Sequence, residues 1–436
     1  MSAGYNSIMT QLATAPAAHP EPADPVDESP GRRRRIVIIS GFRIFPMNTG
    51  GHVRTGSIAL ALSRLGFEVL IYSLAGRNAD YGSKAAPGRQ GSYRIDQLAP
   101  HLTEETHLGL GYGLLQTAGR RLDYPRVWQH SLLQRGWIPG RLRKALESAD
   151  LILCDMPWVP PVPGPWSSKP WLMISHNLEY RLLAQGNGRH SRYADWMEKI
   201  ERAAPRLYRD IFTCSEEDLN FFREQEGGRG RTLPIIRCGV DPEAYRVADG
   251  VRQKIRAELG VSDSQRLLVF SGSGYAPNVE ALQVVREFCS SHQDFMRNAG
   301  LRILVLGSVA PTAFEEGVLM ATGRVPEVPP YLAAADAGLN PITRGSGANV
   351  KLFEYLAARL PVISTAFGVR GTGLLADRDY LQYEPSSLQA TLQRFAQRPM
   401  QEWQEFAQQV WARHGRDCDI QELVRSAIAQ LPEFAG

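Results

Sequence analysis

Short apolar runs alternate with helix-like segments along this chain, and that alternation constrains the fold more than any other feature. Ile36–Ile39 consists of four consecutive β-branched residues, and Val69–Tyr72 is a second apolar run. Between them, Ile58, Leu62 and Leu65 recur at helical spacing. Continuous runs of four apolar residues are typical of strands that are buried on both faces. The first ordered residues therefore predict a strand–helix–strand unit.

The same alternation continues through both halves of the chain. Apolar runs predict strands at 151–153, 171–174, 211–213, 267–270, 303–306, 337–339 and 361–364, with helices at 278–290, 330–335 and 349–358. This pattern predicts an α/β protein made of two Rossmann-like, doubly wound parallel-sheet domains that face a cleft. The length of 436 residues agrees with two domains, because single hydrophobic cores stop growing at about 250–300 residues.

Changes in composition suggest where the parts begin and end. Residues 1–31 are rich in Ala, Pro, Glu and Asp and predict a disordered tail. We expect an N-terminal domain at 32–229, a C-terminal domain at 230–395, and helices at 396–436 that return to the N-terminal domain. Residues 80–145 show no clear periodicity and receive no assignment.

Charge and cysteine content exclude several classes of protein. The net charge of +4 is too small for the basic face of a nucleic-acid-binding protein. The five cysteines include no Cys-x-x-Cys pair, which favours a reducing, cytoplasmic location. No stretch reaches the ~20 apolar residues of a membrane span, so we expect at most peripheral membrane contact. Arg32–Arg35 is either a solvated lead-in to the first strand or a weak contact with anionic lipid at the inner face of the membrane.

Ligands of open α/β sheets bind beyond the carboxyl ends of the strands, so the loops there are the candidate sites. In the loop Pro46–His52, Gly50 and Gly51 let the backbone approach a ligand, and the following helix offers N–H groups to an anion. A plain tight turn explains this loop equally well. The loop contains neither Gly-x-Gly-x-x-Gly nor a Walker sequence, which argues against a dinucleotide dehydrogenase.

Two further loops follow predicted strands. His176 and Asn177 come directly after an apolar run, where a side chain meets substrate. A lone histidine is more often structural, but the neighbouring Asn and Glu favour a function. Ser271 and Gly272 open a loop of small residues with room for a phosphate, and Asn278 is predicted to cap the next helix. A capped loop without ligand is the alternative.

The most informative loop and helix lie between Asn340 and Gly371. A loop of small residues, 345–349, precedes a helix in which Lys351 and Glu354 share one face. A cation and an acid in these places suit a diphosphate and ribose hydroxyls. An intrahelical ion pair is the alternative explanation.

Taken in order, these motifs resemble the GT-B glycosyltransferases, specifically the retaining family 4 (glycosyl transferases group 1), over about residues 36–385. Gly345–Gly371 looks like that family's glycine-rich loop, Lys-x-x-Glu helix, Pro-Val strand and terminal glycines. Arg237–Asp241 looks like its interdomain Asn-Gly-Val-Asp segment, with Cys238 in place of Asn. Phe212–Ser215 matches the preceding strand and serine.

The resemblance implies a role for each matching position. Glu354 matches the glutamate that binds the ribose, and Lys351 lies near the diphosphate. His176 matches a histidine near the transferred sugar. The implied catalytic residues are thus His176, Lys351 and Glu354, and the implied substrate-binding residues are Gly50, Gly51, Asn177, Ser271, Gly272, Asn278, Arg324, Val325, Arg344, Ser346, Gly347, Ala348 and Asn349.

Two departures from the family pattern concern the donor. Ser346 stands where the family has the first glutamate of Glu-x7-Glu. The stretch 272–278 lacks the Arg and Lys that bind phosphates in many members, and Lys351, Arg344 or Arg370 are the candidates to replace them.

The implied activity is metal-independent transfer of a sugar, expected to be a hexose, from a nucleoside diphosphate sugar, with retention of configuration. The acceptor is a hydroxyl of a glycan, a lipid-linked molecule or a small molecule, in polysaccharide or glycoconjugate synthesis. No cofactor beyond the donor is expected. Two alternatives stay open: a sugar-nucleotide 2-epimerase of the same fold, and a non-catalytic sugar-nucleotide-binding protein.

Overall fold

A computed structural model describes residues 32–47, 49–74, 89–90, 92–121, 126–185, 192–226, 235–345 and 349–434. From residue 34 onward the chain forms one sheet of eight strands and a second sheet of seven. Most neighbouring strands are parallel, and helices pack on both sheets. The predicted fold class is confirmed.

The first sheet has the strand order β3-β4-β5-β2-β1-β6-β7-β8. Its strands are β1 (Arg35–Ser40), β2 (Glu68–Ser73), β3 (Arg89–Gln90), β4 (Tyr93–Ala99), β5 (Leu102–His107), β6 (Leu151–Asp155), β7 (Trp171–Ile174) and β8 (Asp210–Phe212). Its helices are α1 (Gly50–Arg64), α2 (Leu110–Arg121), α3 (Val127–Gln134), α4 (Gly140–Ser148), α5 (Glu179–Gln185), α6 (Arg192–Leu207) and α7 (Glu216–Gln225). Among the described strand pairs of this sheet, β3–β4 and β4–β5 are antiparallel and the others are parallel.

In the central strands, the side chains of successive residues point to opposite faces of the sheet, so they pack in two different core layers. Ile36 and Ile38 of β1 pack in the layer that contains α1, whereas Val37 and Ile39 pack in the layer that contains α3, α4 and α6. All four side chains are fully buried. The uninterrupted apolar run of β1 is therefore explained by helices on both faces of the sheet.

The second sheet has the order β11-β12-β10-β9-β13-β14-β15. Its strands are β9 (Arg266–Ser271), β10 (Leu301–Leu306), β11 (Phe314–Glu316), β12 (Leu319–Gly323), β13 (Ala337–Asn340), β14 (Val362–Ser364) and β15 (Leu381–Gln382). The remaining helices are α8 (Val251–Glu258), α9 (Ala276–Ser291), α10 (Gln293–Asn298), α11 (Pro329–Ala334), α12 (Val350–Ala357), α13 (Leu388–Gln397), α14 (Met400–Cys418) and α15 (Ile420–Ala429). All strand pairs except β11–β12 are parallel.

The chain crosses between the two sheets twice, and the crossings pair with each other. The N–H of Val240 donates to Cys418 O at 2.8 Å, and the N–H of Ile420 donates to Val240 O at 3.0 Å. A Cβ on Gly239 would lie 2.9 Å from the Ile420 backbone, so only glycine fits there. After Asp419, α15 packs on α1, while α14 packs on α12. The return to the first sheet thus begins at 419 rather than at the predicted 396.

Part of the unassigned stretch 80–145 now has a structure. The hairpin β4–β5 extends the first sheet, and α2, α3 and the start of α4 follow it. The predicted tail at 1–31 lies outside the described residues. None of the helices in the described ranges combines the length and apolarity that a membrane span needs.

Candidate functional site

Two helix N-termini meet where the carboxyl ends of β1 and β13 face each other. Thr49 caps α1 by accepting the His52 N–H at 3.3 Å, so the helix begins at Gly50. A methyl group on Gly50 would lie 3.7 Å from Cγ2 of Val350, the first residue of α12. Each N-terminus carries unpaired N–H groups and partial positive charge. Their convergence can hold an anion between the two domains.

His176 lies beside this point, at the end of β7. A methyl group on Gly51 would come within 3.9 Å of its ring. Its Nε2 lies 2.8 Å from Oδ1 of Asp155, the last residue of β6, and 3.2 Å from the Thr55 hydroxyl. Its Nδ1 lies 3.5 Å from the Arg54 guanidinium. An arginine can only donate, so these contacts favour the neutral ring that donates from Nε2 to Asp155.

Asp155 is fully buried and is held by three donors. Thr55 Oγ1 donates to Oδ1 at 2.7 Å, and Ser40 Oγ donates to Oδ2 at 2.8 Å. Burial alone raises the pKa of this carboxyl group, but the hydrogen bonds that it accepts from His176, Thr55 and Ser40 outweigh burial and keep the pKa below its usual value. Asp155 therefore stays ionised and fixes the orientation of His176.

Arg54 is a fully buried cation that holds three chain segments together. Its guanidinium donates to the carbonyl groups of Ser175 at 2.7 Å, Phe212 at 3.2 Å and Ile236 at 2.8 Å. These carbonyls belong to the ends of β7 and β8 and to the first interdomain crossing. Arg54 thus fixes the loop of His176 relative to the segment that leads to the second domain.

On the second domain, Lys351 is buried and points toward the loop after β9. Its Nζ donates to Asn278 Oδ1 at 2.8 Å and lies 4.8 Å from the centre of the Phe270 ring. Burial lowers the pKa of this ammonium group to about 7, against the opposing charge of Glu354. Lys351 is therefore poised to gain a proton when an anion arrives.

Glu354 is partly buried, and it binds a residue that the sequence did not single out. The hydroxyl of Tyr245, in the first crossing, donates to Glu354 Oε1 at 3.2 Å. Burial raises the pKa of the Glu354 carboxyl group, which Tyr245 and Lys351 counteract. Among the described contacts, Lys351 and Glu354 form no direct ion pair, so the alternative of an intrahelical ion pair is wrong.

The loop after β9 differs from its prediction in one respect. Helix α9 begins at Ala276, with Tyr275 at its N-cap, so the prediction that Asn278 caps the helix is wrong. Pro277 extends the helix toward its N-terminus because proline suits the first turn. Asn278 Nδ2 instead donates to Ser273 O at 3.1 Å, while its oxygen accepts from Lys351. The orientation of the Asn278 side chain is thus set by its hydrogen bond with Lys351 on α12.

Other residues that the sequence predicted for the site in this domain form hydrogen bonds within the domain. Ser271 and Gly272 end β9, and Tyr355 binds the Ser271 backbone N–H at 2.9 Å. The side chain of Asn349 donates to Gly368 O at 2.6 Å. Ser346, Gly347 and Ala348 lie outside the described residues.

Two of the three cations predicted to replace the phosphate-binding Arg and Lys have other partners. Arg344 forms an exposed ion pair with Glu280. Arg370 lies over the Phe367 ring at 3.9 Å, and burial lowers its pKa. Arg324 is exposed at the end of β12, and Val325 packs on the core of the second domain. Of the three candidates, Lys351 is the one that the structure places behind the α12 N-terminus.

In the first domain, Asn177 and its neighbour form a second polar group next to His176. Burial raises the pKa of the neighbouring Glu179 carboxyl group to about 7, and Asn177 counteracts part of this rise. The buried Glu201 accepts the N–H groups of Glu179 and Tyr180 at 2.7 and 3.0 Å, which caps α5. This arrangement holds the His176 loop from its other side.

Sequence reasoning missed Asp155, Arg54 and Tyr245. Asp155 had a usable signal, because an acid ends an otherwise apolar strand.

The chain also contains two Asp-x-Asp sequences. In these, Asp379 is buried against Arg413 and His414, and Asp419 caps α15. Both aspartates thus have structural partners.

Comparison with known proteins finds a family model that matches part of the chain and solved structures with a similar fold. Residues 265–395 match the family model "Glycosyl transferases group 1". WaaG, a glycosyltransferase involved in lipopolysaccharide biosynthesis, has a TM-score of 0.61 at 16% identity, over 91% of this chain and 99% of its own. HepE of Anabaena, in complex with UDP-glucose, has 0.56 at 13%, over 90% and 98%.

The α,α-trehalose 6-phosphate synthase of Burkholderia multivorans has a TM-score of 0.61 at 14% identity, over 93% of this chain and 97% of its own. No curated protein sequence matches the chain. At identities this low, the structural similarity establishes the shared two-domain fold alone. The match to the family model covers the second domain.

Proposed function

We propose that this protein, whose residues 265–395 match the family model of glycosyl transferases group 1 and whose two sheets form the GT-B fold, is a retaining glycosyltransferase. It moves a sugar, a hexose in our proposal, from a nucleoside diphosphate sugar to an acceptor hydroxyl, without a metal ion. The observation that carries the proposal is the convergence of the α1 and α12 N-termini beside Lys351 and Glu354.

In this proposal the donor diphosphate lies between Gly50 and Val350. As the bond between the anomeric carbon and the diphosphate breaks, negative charge grows on the leaving oxygen. The helix N-termini and the Lys351 ammonium stabilise that charge. Arrival of the diphosphate favours protonation of Lys351, because an adjacent anion raises the pKa of an ammonium group.

Glu354 accepts the ribose hydroxyls, and Tyr245 holds its carboxylate in place. The acceptor hydroxyl attacks from the face that the leaving group vacates, so configuration is retained, and the leaving phosphate takes the acceptor's proton. His176, fixed by Asp155, packs beside the transferred sugar. Its Nε2 is bound by Asp155, so its part is positioning and exclusion of water rather than proton transfer.

Titration calorimetry with uridine diphosphate tests the donor site, since a structural neighbour holds UDP-glucose. We expect Lys351→Met and Glu354→Gln each to remove measurable binding. Lys254→Met, which removes an exposed lysine on α8, is the matched control and should bind as the wild type does. Wild-type affinity in either site variant would refute the assignment.

Thermal-shift screening against a panel of nucleotide sugars then identifies the donor, because a bound ligand raises the melting temperature by mass action. Incubation with that donor alone separates the alternatives. Release of an epimerised sugar nucleotide without acceptor would identify an epimerase. Tight binding without turnover across an acceptor panel would identify a binding protein.

A further inference from the structure

Two buried side chains with unpaired N–H groups meet at the loop after β1. A Cβ on Gly41 would lie 2.9 Å from Nε1 of Trp158 and 3.1 Å from Nε2 of Gln129, so the two groups converge on one point. Trp158 is 6% exposed and Gln129 is 4% exposed. None of the described hydrogen bonds uses either N–H group. Because buried donors are nearly always paired in folded proteins, two that converge on one point indicate a binding site.

This point lies at the same edge of the first sheet as His176. β1, β6 and β7 are neighbouring parallel strands, and Gly41, Trp158 and His176 follow their carboxyl ends. Phe42, the next residue of the loop, has its ring centre 5.0 Å from that of His52 in the first turn of α1. The point is therefore on the first-domain side of the candidate active site, where the acceptor lies in our proposal.

A cation and an acid lie near the two donors. The Arg126 guanidinium donates to Gly41 O at 3.0 Å and lies 5.6 Å from the centre of the Phe42 ring, which is partly exposed. Burial raises the pKa of the Glu179 carboxyl group, and the charge of Arg126 counteracts part of this rise, which places the two groups near each other. The opposite charges offset each other, so these side chains offer donors and acceptors but little net charge.

We propose that Phe42, Arg126, Gln129, Trp158 and Glu179, here named the acceptor group, bind the acceptor and select a neutral sugar residue. This inference rests on the proposed function, because it names the class of acceptor that the same site takes.

The chemistry of the acceptor group suits a neutral sugar better than the other classes of acceptor. Each hydroxyl of a sugar both donates and accepts hydrogen bonds. Trp158 and Gln129 donate, the Glu179 carboxylate accepts, and the Phe42 ring covers the apolar face of a sugar ring. An anionic acceptor would meet the carboxylates of Glu179 and Asp155. An aliphatic alcohol would leave the buried donors unpaired, which is costly in a water-excluded site.

Saturation-transfer NMR with the full chain, which detects weak ligands, tests the inference. The neutral probes are the methyl glycosides of glucose, galactose, mannose and N-acetylglucosamine, and glucuronic acid and butanol represent the other classes. We expect at least one neutral glycoside to bind, and glucuronic acid and butanol to bind roughly tenfold more weakly or not at all. The inference is overturned if either of these binds as well as the glycosides do, or if no probe binds.

Two variants that each remove one N–H group decide where the sugar binds. Trp158→Phe keeps an aromatic ring and Gln129→Met keeps the length of the side chain, so each should weaken glycoside binding roughly tenfold. The matched control is Trp166→Phe, which removes a buried indole N–H of the same domain that donates to Val162 O at 2.8 Å. The control should bind glycosides as the wild type does. Unchanged binding in both site variants would place the sugar elsewhere and overturn the inference.

Calorimetry of uridine diphosphate on the same samples separates this inference from the proposed function. Retained nucleotide binding shows that a variant is folded, and if a variant loses it, Glu179→Gln takes its place and should weaken glycoside binding roughly fivefold. Nucleotide binding without glycoside binding in the wild type would refute the acceptor group alone. Glycoside binding that depends on the acceptor group, in a protein that binds no nucleotide, would refute the donor site alone.

Discussion

Lys351→Met should make the protein more stable while it removes donor binding. The pKa of Lys351 falls from 10.5 to about 7 through burial. At about 1.4 kcal/mol for each factor of ten, this costs the folded state about 4 kcal/mol at pH 7. Methionine keeps the volume without the charge. The loss of a donor to Asn278 Oδ1 costs about 1–3 kcal/mol. The net gain is therefore about 1–3 kcal/mol.

The stability difference between Lys351→Met and the wild type should depend on pH. Between pH 7 and 10.5 the unfolded wild type binds more protons than the folded one, so wild-type stability rises with pH in that window. The variant's advantage should thus be greatest below pH 7, shrink as the pH rises, and reverse near pH 10. Thermal unfolding measures it, since about 1 kcal/mol shifts the melting temperature of a domain this size by about 2–4 °C.

Calorimetry of the wild type supplies the second half of the test. Because Lys351 is about half protonated at pH 7 and an anion favours its charged form, donor binding should take up about half a proton at that pH. Buffers of different ionisation enthalpy reveal this uptake. A variant that is less stable than the wild type at pH 6, or a wild type that takes up no proton, would refute the reasoning.

Three further variants probe the network around the site. Asp155→Asn frees the ring of His176, so kcat should fall roughly 10- to 100-fold with little change in donor affinity, as steady-state kinetics and calorimetry show. Tyr245→Phe removes the hydroxyl that holds the Glu354 carboxylate, which binds the ribose in our proposal, and should weaken donor binding about fivefold, with kcat unchanged. Gly239→Ala pushes against the backbone of the second crossing and should cost about 1–3 kcal/mol in urea unfolding, whereas Gly140→Ala, with open space around it, should be neutral.

The strands were the most predictable part of the fold, because a strand buried on both faces needs a continuous apolar run. The runs Ile36–Ile39 and 303–306 lie in β1 and β10. The hairpin β4–β5 was not predicted, since Tyr93–Ala99 is only half buried and mixes charged with apolar residues. The predicted start of α9 at 278 is two residues late, because the helix includes Pro277 in its first turn.

The candidate site was predictable only in part. The sequence placed His176 and Lys351 after strands, where parallel sheets bind ligands. It did not find Asp155, Arg54 or Tyr245, because their roles depend on partners far away along the chain. Arg54, for example, binds Ile236, which is 182 residues away.

The sequence by itself determined the two α/β sheets and the edge of each at which the candidate site lies, because the period of apolar residues and the ends of strands are local properties. The tertiary structure alone decided which polar groups pair. Lys351 binds Asn278, 73 residues away, rather than the nearby Glu354, and Asp155 binds His176 across adjacent strands. A buried charge must find a hydrogen-bond partner wherever the packing places one, and no local pattern records that position.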